Sequence, residues 1–112
     1  MTPAVEWAEV QGPVLRAYAH VPQAAYLWLQ VTDRAAAKVW LTELLPEITT
    51  AAAGKQTTHV NLALTAAGMT ALGLDGAVAA SFGASFFEGM DAPHRALMLG
   101  DVGRSAPEHW AW

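Results

Sequence analysis

The stretch Thr57–Leu74, TTHVNLALTAAGMTALGL, decides how this chain is read. Val60, Leu62 and Leu64 recur at period two, with His59, Asn61, Ala63 and Thr65 between them. That alternation predicts a strand with one aliphatic face and one small, polar face. At Thr65 the period lengthens. Thr65 is placed to cap a helix, Met69 and Leu72 follow on one side, and Gly73 with Leu74 predicts a left-handed stop and its hydrophobic companion. Helices are expected on the aliphatic face, and another layer on the polar one.

Outward from this stretch, Tyr26–Val31 (YLWLQV) alternates in the same way. Leu27, Leu29 and Val31 form its aliphatic side, and Tyr26, Trp28 and Gln30 the other. Asp33 then predicts an N-cap, and Ala36, Val39, Trp40, Leu44 and Ile48 a helical stripe. Pro46 lacks an N–H, so the regular helix should end near Leu45. Ile48–Ala52 reads as a short strand, with Gly54-Lys55 turning into the Thr57 strand. Strand, helix, short strand, strand, helix is most economically packed as an α+β, ferredoxin-like (split βαβ) half-unit. This is an antiparallel sheet with both helices on one face. The fourth strand such a unit needs is missing after Leu74. There only helical turns over 77–90, a Pro93 helix start with a stop at Gly100, and a loop-like tail are expected. Tyr26–Val31 is therefore expected to be an unprotected edge. One domain is expected over 1–112, with an arm over 1–22, the sheet and two helices over 23–74, and turns and linker over 75–112.

Composition narrows the classes. Of 112 residues, 54 % are hydrophobic and only 14 % charged, and five are tryptophan. Such a chain is not disordered; it has a large core or a large surface that meets a partner. The net charge of −4 and the scattered basic residues give no footprint for nucleic acid or an anionic membrane. The absence of cysteine excludes disulfides, thiolate metal sites and a cysteine nucleophile. Glu6 and Glu9 stand where a signal peptide needs positive charge, so a cytoplasmic location is expected. No stretch reads as a membrane span.

The residues by themselves define no reaction. His20, His59, His94 and His109 have no metal-ligand spacing, and there is no phosphate loop or nucleophile elbow. Tyr26, Trp28, Gln30, His59 and Asn61 are expected to share the polar sheet face and to form a domain interface. Trp28, His59 and Asn61 are the members able to line a pocket.

VQGPVLRAY (Val10–Tyr18), YLWLQVTD (Tyr26–Asp33), WLTELLPEITTA (Trp40–Ala51), NLALTAAGMTALGL (Asn61–Leu74), FFEGM (Phe86–Met90) and LGDVGRSAPEHW (Leu99–Trp110) occur in an order that resembles the N-terminal half of dye-decolourising (Dyp-type) haem peroxidases. The resemblance spans roughly residues 10–110. It departs from the family at Pro13 and Ala17, where Asn and Gly are usual. Members carry two ferredoxin-like halves with one haem b between them, and oxidise dyes and phenolic compounds with hydrogen peroxide. Their distal Asp in G-x-x-D-G, distal Arg and proximal His follow the segment at which this sequence stops. Leu72 stands where Gly73-Leu74-Asp75-Gly76 would need the first glycine of that motif, so no catalytic or haem residue is carried onto this chain. The resemblance implies haem b in a full-length parent and none in this chain alone. It also implies that the chain alone is inactive and that a missing C-terminal half, or a second copy, docks on the polar face and the Tyr26–Val31 edge. The alternative is a stand-alone dimeric α+β barrel of monooxygenase-like or ligand-binding type.

Overall fold

A computed structural model describes residues 4–111. Two units divide the chain, Met1–Leu64 and Thr65–Trp112. In the first, a 3-10 turn at Trp7–Glu9 leads to α1 (Gly12–Leu15), and α2 (Arg34–Leu44) runs into a 3-10 turn at Leu45–Glu47. In the second come α3 (Ala66–Ala71), α4 (Gly76–Ala79), α5 (Ala84–Glu88) and α6 (Pro93–Leu99). Two 3-10 turns follow, at Gly103–Ser105 and Pro107–His109.

The helix punctuation follows local chemistry. Asp33 accepts from the Ala36 N–H at 2.9 Å and caps α2, and Thr65 accepts from the Gly68 N–H at 3.0 Å and caps α3. Pro46 falls in the 3-10 turn that replaces regular helix after Leu44. α3 stops at Gly73, whose φ is 82°. There the Leu74 N–H donates to the Met69 carbonyl at 3.0 Å, and the Gly73 N–H to that of Thr70 at 2.9 Å. Gly100, with φ 80°, ends α6 through the same pair of bonds.

The ferredoxin-like sheet does not form. Among the described residues none lies in a β-strand, and the one extended pairing is an antiparallel bridge between Gln11 and Thr50. A strand is stabilised by what lies beside it, and Tyr26–Val31 finds nothing there. No backbone hydrogen bond joins it to another described residue, and Tyr26, Leu27, Trp28 and Leu29 are 85, 81, 86 and 67 % exposed. The expected Ile48–Ala52 strand is reduced to the single bridge at Thr50. The Thr57 stretch is held partly by side chains. Thr49 N–H donates to the Val60 carbonyl at 2.8 Å, and the Val60 N–H returns to the Thr49 hydroxyl at 3.1 Å. The Gln11 amide both accepts from the Leu62 N–H at 2.9 Å and donates to the Leu62 carbonyl at 2.8 Å.

With no sheet to cover, α2 turns differently. Ala37, Leu41, Leu44 and Ile48 are its half-buried line, while Val39 and Trp40 of the expected stripe are exposed. The buried residues among those described are Gly12, Thr49, Ala51, Ala96 and Ala106, all small. The second unit gathers its three phenylalanines, Phe82, Phe86 and Phe87, with ring centres 5.1 to 6.2 Å apart, yet each stays more than a third exposed. The accessible surface is 9183 Å². Two separately compact bodies dividing this mass would expose about 7,200 Å² together.

Candidate functional site

Around Thr49–Ala51, within the first unit, the chain makes its densest set of long-range bonds. The Gly12 N–H donates to the Thr49 carbonyl at 2.9 Å, and the Ala51 N–H to the Val10 carbonyl at 2.7 Å. Arg16 reaches from the adjoining segment to donate to the Ala51 carbonyl at 3.2 Å. These bonds fix Arg16–His20 against Thr49–His59 and leave a cavity of about 320 Å³ between them. Arg16, Tyr18, His20, Thr50, Lys55 and His59 are in its wall.

Tyr18 and His59 stack with ring centres 3.8 Å apart and planes 6° from parallel. Gly12 is required beneath them, because a Cβ there would run into the Tyr18 hydroxyl. His20 meets His59 edge-on, Nε2 to Nε2 at 3.2 Å, and the same His20 Nε2 lies 2.8 Å from the Gln56 carbonyl. A carbonyl only accepts, so His20 carries its proton on Nε2. His59 faces it with Nε2, leaving Nδ1 as its second ring nitrogen. That Nδ1 and the Tyr18 hydroxyl are buried and have no partner among the described residues. Each such group costs about 1–3 kcal/mol.

Of the five residues expected on one polar face, His59 is half-buried in this cavity wall. Asn61 lies beside it in sequence, donating to the Thr49 carbonyl at 3.1 Å and to the Gln11 side chain at 3.2 Å. Tyr26, Trp28 and Gln30 are solvent-exposed, and neither Trp28 nor Asn61 lines the cavity. The residues that join His59 are Arg16, Tyr18 and His20, 39 to 43 positions away. Their one sequence signal is the alternation Arg16-Ala17-Tyr18-Ala19-His20, which sets three functional side chains at period two.

No three or more His, Asp or Glu among the described residues are grouped to hold a metal ion. His20 and His59 are turned on one another, and His94 lies 3.1 Å from Glu88 on the second unit's surface. No helix among the described residues is long and apolar enough to cross a membrane. No family model, curated protein or solved structure matches the chain.

Proposed function

We propose that this chain is the N-terminal part of a cytoplasmic haem peroxidase of dye-decolourising type, and that it acts only when joined by a C-terminal half. The observation that carries the reading is Tyr26–Leu29, four consecutive large side chains in solvent on a backbone without hydrogen-bond partners among the described residues. Apolar and without a backbone hydrogen bond to another described residue, the segment is suited to being covered by further polypeptide. The ordered run of residue patterns from Val10 to Trp110 supports the peroxidase assignment. Haem, its axial ligand and the distal acid–base groups come from the C-terminal half, so no chemical step is assigned to residues here. The contribution of this chain is one wall of the assembled protein.

The test compares two polypeptides. One is the 112-residue chain, and the other continues in its reading frame beyond Trp112. The longer product is expected to contain a hydrophobic strand and then G-x-x-D-G, to show a Soret band with added haem, and to oxidise dye with peroxide. The short chain is expected to do neither. Peroxide-dependent turnover by the short chain, or a continuation without those elements, overturns the reading. A dimer of the short chain that buries Trp28 would place a second copy, not a C-terminal half, on the exposed segment.

A further inference from the structure

We propose that the cavity between Arg16–His20 and Thr49–His59 binds a phosphate group, free or as a small organic ester. Charge points this way first. The chain holds ten acidic residues against six Lys and Arg, yet no Asp or Glu lines this cavity, whereas Arg16 and Lys55 both do. A concave wall of one sign concentrates the field, so a net-negative chain presents a locally positive recess.

Donor capacity agrees. A guanidinium has five N–H groups and an ammonium three. A single guanidinium bond is recorded for Arg16, from Nη2 to the Ala51 carbonyl, and it anchors the group in the wall with donors to spare. Thr50 adds a hydroxyl. These donors stand on separate stretches of chain, 16–20, 49–50 and 53–59, that share the cavity wall. A phosphate offers three oxygens in different directions and can use them all, whereas a carboxylate offers two in one plane. The 3.2 Å between the two Nε2 atoms also resembles the separation of neighbouring ligands on a metal. Two cationic side chains in the same wall oppose a metal cation and favour an anion. A volume of about 320 Å³ suffices for a small ester.

The experiment titrates inorganic phosphate, and separately glycerol 3-phosphate, into the 112-residue chain at constant ionic strength set with chloride. Imidazole proton resonances report the binding. His20 and His59 are expected to shift along a saturating curve while His94 and His109, outside the cavity, do not. Lys55→Gln and Arg16→Gln should each weaken binding by about tenfold or more, the scale of one lost charge-assisted bond. Lys38→Gln removes the same charge from the exposed α2 surface and should change nothing. Arg16→Gln also gives up the Ala51 bond, so if it fails to fold, Lys55→Gln alone decides. Tighter binding of glycerol 3-phosphate than of inorganic phosphate identifies an ester site, and the reverse identifies a site for the free ion. Non-saturating shifts, equal shifts at all four histidines, or Lys55→Gln binding like the parent chain overturns the proposal.

Discussion

Gln11 does for Leu62 what a neighbouring strand does in a sheet. Its amide oxygen takes the Leu62 N–H and its amide nitrogen gives to the Leu62 carbonyl, across 51 positions of sequence. Replacing it with alanine removes both partners from a partly buried peptide. Gln11→Ala is therefore expected to lower unfolding stability by about 1–3 kcal/mol, read as a lower urea midpoint with an unchanged slope. Gly12 supports its surroundings by lacking a side chain. Gly12→Ala drives a methyl into the Tyr18 hydroxyl and must push the ring off His59, at an expected cost of about 1–3 kcal/mol. Loss of the ring-current shift on the His59 protons is the accompanying sign, and an unaltered shift would show that the stack does not depend on Gly12. Neither role is written in the neighbouring sequence. Gln11-Gly12-Pro13 reads as a turn signal, and α1 does begin there, but nothing local says which distant peptide the glutamine serves.

At the scale of elements, what could be read in advance was whatever a few neighbouring residues settle among themselves. Asp33, Thr65, Pro46, Gly73 and Gly100 act within one or two turns, and each stands at the start or stop its chemistry predicts. Asp33→Ala should cost about 0.5–2 kcal/mol and speed amide exchange at the first turn of α2 before its last turn. Equal acceleration along the whole helix would mean that the cap is not what holds that end. Strands are a different case. The alternation in Tyr26–Val31 and Val60–Leu64 is real, but period two states only which sides differ, and pairing has to come from elsewhere. Val60 and Leu62 found Thr49 and Gln11, whereas Tyr26–Val31 found no backbone partner among the described residues. The expected stripe holds only at its end for the same reason: Leu44 and Ile48 are half-buried, but Ala36, Val39 and Trp40 were assigned to a sheet that is not there, and Ala37 and Leu41 are partly covered instead. The cavity was hidden more deeply, because its histidines, tyrosine and arginine meet only through the bonds around Thr49–Ala51.

For the whole molecule, the relation between apolar content and burial sets the expectation. A chain that is 54 % hydrophobic ordinarily closes over large side chains, yet among the described residues those buried are glycine, alanine and threonine, and no large side chain is fully enclosed. Exposed apolar side chains are spread along the chain, and Tyr26–Leu29 is its longest consecutive run of large ones, with no backbone hydrogen bond to another described residue. Charging this segment should therefore leave the chain's own stability almost untouched, while the same substitution in a packed core would destroy it. Leu27→Asp with Leu29→Asp is expected to change the unfolding free energy by less than about 0.5 kcal/mol. In the longer polypeptide carrying the C-terminal half, the segment should be covered, and the same pair should cost several times as much and abolish haem retention. Trp28 provides an independent reading. Its fluorescence should be quenched by iodide in the short chain and protected in the longer one, with Trp28→Phe identifying its share of the signal among five tryptophans. Equal quenching in both, together with a longer chain indifferent to the aspartates, would mean that the partner docks elsewhere and that the exposed segment has no part in assembly.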